Sequence, residues 1–150
     1  MYCLWFTDQS GKDRFLTNDK GVLFFTTHSD LSIYISEEKL NIDHNQIHYD
    51  IGSAIDWLSK DSRFVDCEYM LHIWNITSDL SSSANKDFSG DSTSEIINRV
   101  YDKLFWGNNL SALRDNEDAF NPDWTSEELQ ELKIVVTHIV DIIKSVFTID

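Results

Sequence analysis

The sequence predicts an α+β fold in which a small N-terminal antiparallel β-sheet packs on a C-terminal helical bundle. Two observations lead to this prediction. Before Ser29, short apolar runs rich in aromatic and β-branched residues are separated by turn-forming residues, which is typical of strands. After Ser29, apolar residues recur at helical spacing, and several of these segments begin with a residue that can cap a helix.

The predicted sheet uses the first 27 residues. The apolar run "MYCLWFT" at 1–7 and the run "GVLFFTT" at 21–27 predict an antiparallel pair of strands, and the turn-forming stretch "TNDKG" leads into the second one. The tripeptide "RFL" at 14–16 is expected to contribute to the same sheet. The first helix is then expected to begin near Ser29, which can act as its cap. Its apolar face consists of Leu31, Tyr34 and Ile35.

Asp50 is expected to cap a second, short helix. The residues predicted to share its apolar face are Ile51, Ala54, Ile55 and Leu58. Residues 66–80 carry both a strand-like alternation and a helical repeat, and the length of the run favours a helix. Residues 81–94 are rich in Ser, Asp and Gly, and this composition predicts an exposed loop.

The last two predicted helices have spacing typical of a capping box, in which a Ser or Thr side chain and a Glu three residues later cap each other's backbone. The earlier pair is Ser92 with Glu95, and the clearer pair is Thr125 with Glu128. Trp124 and Leu129 flank the second box at hydrophobic-staple positions. The final helix is expected to be deeply buried, since it carries apolar residues on one face and two more elsewhere. The face consists of Leu132, Val135, Val136, Ile139, Ile143, Val146 and Phe147, and the other two are Ile134 and Ile142.

Composition restricts the kinds of partner. The chain has 150 residues, which predicts a single domain over 1–150, and 26 acidic against 12 basic residues give a formal net charge of −14. This charge disfavours nucleic acid and anionic membranes and favours basic protein partners. Neither a signal peptide nor a membrane-spanning segment is predicted, and Cys3 and Cys67 are expected to be free thiols in the cytoplasm.

No catalytic or metal-binding pattern is evident, so neither enzymatic activity nor a cofactor is predicted. His44 and His48 have helical metal-ligand spacing without a third ligand, and surface histidines are the favoured interpretation. Cys67 and His72 could form a nucleophile and base, but a small buried thiol explains Cys67 more simply. The carboxylates are too numerous for any one pair to indicate acid–base catalysis.

A docking surface is the favoured interpretation of residues 105–131. The acids between Asn108 and Glu131 are expected to face only one arginine, Arg114, and Trp106 and Trp124 bracket most of them. Aromatic anchors within an acidic rim suit a basic partner. A structural interpretation stays open, in which Phe105 and Trp106 seal a helix end and Gly107 is its left-handed cap. The loop at 81–94, with Asp87 and Asp91, is an alternative location for the docking surface.

The stretches "YDKLFWGNNLSAL" and "NPDWTSEELQELK" resemble the C-terminal half of immunity proteins from bacterial contact-dependent growth inhibition systems. Upstream, "FLTNDKGVLFFT", "YDIGSAIDWL" and "MLHIWNITSDL" fit the same comparison. The core "FWGNNLSALRD" is also similar to the inhibitory segment of barstar, and this likeness implies that Phe105, Asn109 and Asp115 contact a toxin.

The resemblance implies a cytoplasmic inhibitor that neutralises a cognate toxin domain, typically a small basic nuclease, without binding nucleic acid itself. An acidic adaptor or regulatory subunit, or a small hydrolase, are the alternatives. The residues expected to contact the toxin are Phe105, Trp106, Asn109, Asp115, Glu117, Asp118, Asp123, Trp124, Glu127 and Glu128.

Overall fold

A computed structural model describes residues 1–42, 46–60, 62–110 and 119–147. It has the α+β architecture that the sequence predicts, with small antiparallel sheets at the N-terminus followed by helices. The strands are β1 Tyr2–Cys3, β2 Trp5–Thr7, β3 Asp13–Phe15, β4 Thr17–Asn18, β5 Gly21–Val22 and β6 Phe24–Phe25. The helices are α1 His28–Glu37, α2 Ile51–Ser59, α3 Cys67–Ser83, α4 Glu95–Gly107 and α5 Ser126–Val146, and one 3-10 turn spans Ser89–Asp91.

The six short strands belong to three extended segments, each of which changes pairing partner at a leucine. β1 pairs with β6, β2 with β3 and β4 with β5, all antiparallel. Leu4, Leu16 and Leu23 lie at the three breaks, where the Leu16 N–H donates to the Leu4 carbonyl at 2.9 Å and the Leu23 N–H donates to the Leu16 carbonyl at 2.8 Å. The predicted pairing of 1–7 with 21–27 is confirmed for Tyr2–Cys3 with Phe24–Phe25, whereas Trp5–Thr7 and Gly21–Val22 pair with the segment between the two runs. The tripeptide "RFL" supplies the last two residues of β3 and the break that follows it.

The sheet region packs mainly on α3. The Phe15 backbone N–H donates to Ser83 Oγ at 2.9 Å, and Trp5 Nε1 donates to Asp79 Oδ2 at 3.1 Å. These two bonds join β2 and β3 to the C-terminal half of α3, which contacts α4 and α5 on other faces. α3 therefore connects the sheet region to the helical bundle.

Two of the predicted helix starts are wrong by two residues. Thr27, rather than Ser29, caps α1 by accepting a hydrogen bond from the Asp30 N–H, and Ser94, rather than Ser92, caps α4 by accepting one from the Ile97 N–H. Both regions contain neighbouring Ser and Thr residues that are equally suited to capping. The cap at Asp50 and the capping box of Thr125 with Glu128 are confirmed.

The ambiguous segment at 66–80 is helical, because Asp66 caps α3 and the helix continues to Ser83. The predicted exposed loop at 81–94 is therefore too long at its start. It also contains a core residue, since Phe88 is buried and packs edge-on against the Trp74 ring. Asp87 is exposed, and Asp91 accepts a hydrogen bond from Ser78 Oγ at 2.7 Å.

One hydrophobic cluster joins α2, α3, α4 and α5. On α2 the buried face is centred on Ala54 and Trp57, whereas Ile55, predicted on that face, is exposed. On α5 the predicted face is buried in its central part, and Ile142 is buried as well, whereas Ile134 is exposed. In the described ranges, no helix combines the length and apolarity that crossing a membrane requires.

Candidate docking surface

The end of α4 is brought against the start of α3 by Gly107. A Cβ at this position would lie 2.6 Å from Cys67 Sγ and 3.0 Å from Pro122 Cγ, so only glycine permits this approach. The prediction that Gly107 is a left-handed cap is wrong, since the glycine is the last residue of α4 and Asn108 after it has a right-handed conformation. The positive φ, 53°, is at Asn109 instead.

The Asn109 side chain connects the chain beyond α4 to the segment before α5 through hydrogen bonds. Its Nδ2 donates to the Phe120 carbonyl at 3.0 Å and to the Gly107 carbonyl at 2.8 Å, and its Oδ1 accepts from the Phe120 N–H at 2.7 Å. Asparagine tolerates a left-handed backbone better than most residues, which suits it to this position. Its amide group is thus occupied within the chain, so this predicted toxin contact has a structural role of its own.

Four large apolar side chains are exposed at the end of the bundle where α4 stops and α3 begins. Phe64 is 76% exposed, Trp106 49%, Leu110 45% and Phe120 40%. We call these four residues the terminal apolar patch. Phe105, the neighbour of Trp106, is half-buried and packs against the core. Its ring meets the Trp106 ring edge-on, with 5.4 Å between the two ring centroids.

A buried ion pair lies beside this patch. Lys103 Nζ donates to Glu128 Oε2 at 2.7 Å and to the Asp123 carbonyl at 2.6 Å, and it lies 5.7 Å from the centre of the Trp124 ring. The same Glu128 oxygen accepts from the Thr125 N–H at 2.9 Å, which completes the capping box. Glu128 is 3% exposed, so it stabilises the α4–α5 junction and is not available to a partner.

The pKa of the Glu128 carboxyl reflects these contacts. Burial acts to raise this pKa, but the hydrogen bonds from Lys103 and Thr125 outweigh burial and hold it below its ordinary value. Glu128 is therefore ionised at neutral pH despite its burial.

A second cation from α4 also binds the acids of α5. Arg99 approaches Glu127 at 3.5 Å and Glu128 at 4.0 Å, and it pairs with Glu95 on its own helix at 2.9 Å. The expectation that the acids of 108–131 face only Arg114 is therefore wrong. Antiparallel packing of α4 on α5 adds two cations that lie outside that sequence window.

Exposed carboxylates remain around the terminal apolar patch. Asp102 lies one helical turn before Trp106 on α4, and Asp66 and Glu68 lie at the start of α3 near Phe64. Asp123 is exposed too and lines a shallow groove with Arg63, Phe64, Asn121, Pro122 and Trp124. Trp124 is half-buried, with its ring next to Lys103. The surface thus joins exposed aromatic rings to a mainly acidic border that also includes Arg63.

The structure brings some predicted contact residues together and separates others. Phe105 and Trp106 lie at the patch, Asn109 supports it, and Asp123 and Trp124 line the groove that contains Phe64. Glu127 pairs with Arg99 instead, and Glu128 is buried. Asp115, Glu117 and Asp118 lie outside the described residues, as does His44 of the proposed histidine pair.

Of the four patch residues, only Trp106 is among the predicted toxin contacts, whereas Phe64, Leu110 and Phe120 are not. Phe64 follows an arginine and precedes a buried valine, so its neighbours predict a core residue rather than an exposed one. Leu110 lies between two polar residues just beyond the end of α4, and only its position after a helix end could have indicated exposure.

The interpretation of Cys67 as a small buried thiol is confirmed. It is 7% exposed, its Sγ lies 3.7 Å from the Val65 carbonyl, and burial together with the nearby Asp66 carboxylate raises its pKa to about 11. Cys3 is also a free thiol, and burial raises its pKa to about 11. Within 1–42, 46–60, 62–110 and 119–147, no three His, Cys, Asp or Glu side chains are arranged to hold a metal ion.

No protein-family model, curated protein or solved structure matches this chain.

Proposed function

We propose that this protein is an immunity-type inhibitor that binds and neutralises a basic toxin domain, with the terminal apolar patch as its docking surface. The observation that carries the proposal is the concentration of Phe64, Trp106, Leu110 and Phe120 at one end of the bundle. Single exposed apolar residues are common on proteins, whereas a group of large ones within an acidic border is typical of an interaction site.

Trp106 is the expected anchor of the interface. Tryptophan is enriched among the residues that dominate binding energy, because its large ring gains most when a pocket on the partner removes it from water. The packing of Phe105 against this ring restricts its motion before binding, which reduces the entropy that binding must overcome. Leu110 and Phe64 would extend the contact on either side.

The charge of the chain favours a basic partner. The formal net charge is −14, and Asp66, Glu68, Asp102 and Asp123 are exposed near the patch. Border charges of this kind accelerate association and exclude partners of the same sign, while the central rings supply most of the affinity. Small basic nucleases have the charge that fits this surface.

The resemblance to growth-inhibition immunity proteins supports the same function, since "YDKLFWGNNLSAL" spans the C-terminal part of α4 and reaches Leu110 of the patch. A cytoplasmic inhibitor of this kind would either occupy the toxin's substrate path or bind beside it. Either arrangement needs fast and tight association with a basic surface.

Co-expression with the toxin domain encoded directly upstream tests the proposal. We expect a stable complex on size-exclusion chromatography and survival of cells that carry both proteins. Trp106→Ala should weaken both, whereas Ile33→Ala, which truncates a 54% exposed side chain on α1, should weaken neither. A toxin that neither binds the chain nor is neutralised by it would refute the immunity function. A stable complex with a different, non-toxic protein would support the adaptor alternative instead.

A further inference from the structure

A second groove lies away from the terminal apolar patch, between the hairpin of β2 and β3 and the outer face of α3. Its lining combines two half-exposed aromatic rings with carboxylate and other polar side chains. The main lining residues are Trp5, Asp13, Tyr49, His72, Asn75 and Asp79. His72 and Asp79 lie five and twelve residues beyond the start of α3, so the groove extends from about 8 Å to about 18 Å along the helix from the patch end.

The aromatic wall of the groove is held in place by a carboxylate. Trp5 Nε1 donates to Asp79 Oδ2 at 3.1 Å, so the indole is fixed relative to α3 although the residue is 44% exposed. Tyr49 is 38% exposed and lines the same groove. Two large rings therefore flank the carboxylates without being buried by the chain itself.

Among the described residues, the carboxylates of the groove lack a Lys or Arg counterpart, and His72 is the basic side chain that lines the groove beside them. Across the described ranges, no Lys or Arg side chain forms an ion pair with Asp13 or Asp79. Asp79 Oδ2 accepts from Trp5, Asp13 Oδ1 accepts from Thr7 Oγ1, and Asp91 nearby accepts from Ser78. Burial raises the pKa of the Asp79 carboxyl, and the nearby Asp13 and Asp91 carboxylates raise it further. The hydrogen bond from Trp5 lowers this pKa, but by less than the other effects raise it. The groove thus concentrates negative charge that a bound cation would neutralise.

We propose that this groove binds the guanidinium group of an arginine side chain supplied by a partner protein. A guanidinium is planar and weakly hydrated, and it can stack on an aromatic ring while it donates to a carboxylate at its edge. The groove offers both features together, with rings from Trp5 and Tyr49 and carboxylates from Asp13 and Asp79. A lysine ammonium would satisfy the charge but would gain less from the ring faces. The overall charge of −14 makes a basic protein the source that the chain attracts.

The inference goes beyond the proposed function, since any arginine-bearing partner would serve and no toxin is required. The test therefore uses a small probe. N-acetyl-arginine amide is titrated into the 15N-labelled full chain at constant ionic strength, and the indole N–H signal of Trp5, assigned with Trp5→Phe, is followed by NMR. We expect a saturable shift at millimolar concentrations, and N-acetyl-lysine amide should bind more weakly.

Asp79→Asn should weaken arginine-amide binding by about tenfold, since it removes a charge-assisted hydrogen bond. Asp87→Asn is the matched control, because Asp87 is an exposed carboxylate outside the groove. Should the amide spectrum show that Asp79→Asn disturbs the fold, Asp13→Asn replaces it, with the same weakening expected. A linear shift, equal binding of the lysine amide, or undiminished binding by the groove variant would each overturn the assignment.

Discussion

Glu128→Gln is the sharpest test of how α4 and α5 are joined. The substitution keeps the size of the side chain and leaves an oxygen that can accept from the Thr125 N–H, but it removes the charge 2.7 Å from Lys103 Nζ. Breaking a buried ion pair costs about 3–5 kcal/mol, and an exposed pair contributes about 0–1 kcal/mol. The Lys103 side chain is 27% exposed and keeps the Asp123 carbonyl, so we expect a loss of about 2 kcal/mol, between these limits.

Urea unfolding at pH 7 measures this loss, with Glu127→Gln as the matched control. The Glu127 side chain is 76% exposed and lies 3.5 Å from Arg99, so its neutralisation should cost less than about 0.5 kcal/mol. A double-mutant cycle with Lys103→Met isolates the pair energy from other effects of the substitutions. Equal losses for Glu127→Gln and Glu128→Gln, or no coupling in the cycle, would refute the reasoning.

The pH dependence of the same variants gives a second test of Glu128. Its pKa is lower in the folded chain than the ordinary value of 4.5, so its ionised form contributes stability above that value. This contribution disappears as the pH falls from 4.5 through the lowered folded pKa. The stability difference between the wild-type chain and Glu128→Gln should therefore shrink over this acidic range. A difference that stays constant from pH 7 to pH 3 would contradict the assigned direction.

Three further outcomes are expected. Gly107→Ala should destabilise the chain by about 2 kcal/mol in urea unfolding, because the new methyl group meets Cys67 Sγ at 2.6 Å; adding Cys67→Ala should recover part of the loss, and no recovery would contradict the clash. Asn109→Ala should lower the free energy of unfolding by about 2 kcal/mol, because the hydrogen bonds to Phe120 are lost and alanine is strained at a positive φ. Asn109→Gly should lower it by less, because glycine loses only the hydrogen bonds. Equal stability of the two variants would show that the positive φ is unimportant. Charge reversal of the acidic run should slow toxin association in stopped-flow measurements without unfolding the chain, and unchanged rates would show that this run does not steer the toxin. The residues of this run are Asp115, Glu117 and Asp118.

Local signals in the sequence predicted most of the elements. The capping box of Thr125 with Glu128 depends on residues three apart, and the cap at Asp50 depends on its immediate neighbours. The caps of α1 and α4 lie two residues from the predicted positions, because "TTHSD" and "STSE" each offer several residues suited to capping. Residues 66–80 fit two periods, and the structure shows that the helical one applies.

The site was less predictable because it depends on contacts between distant residues. Lys103 and Glu128 are 25 positions apart, so the sequence could not show that an acid of the predicted docking run is buried in an ion pair. Gly107 looked like a helix cap, yet its need for a small residue comes from Cys67 and Pro122. The groove proposed to bind arginine likewise joins Trp5 to Asp79 across 74 positions, and no local pattern links them.

The most direct test of the proposed docking surface is the binding kinetics of Trp106→Ala with the proposed cognate toxin domain, which is to be sought in the gene directly upstream. We expect dissociation to accelerate and affinity to fall by about 30-fold or more, which corresponds to about 2 kcal/mol for a central aromatic anchor. Association should slow with added salt to the same degree for the wild-type chain and the variant, because the border charges are unchanged. Wild-type affinity in Trp106→Ala would contradict the assignment of the terminal apolar patch as the docking surface.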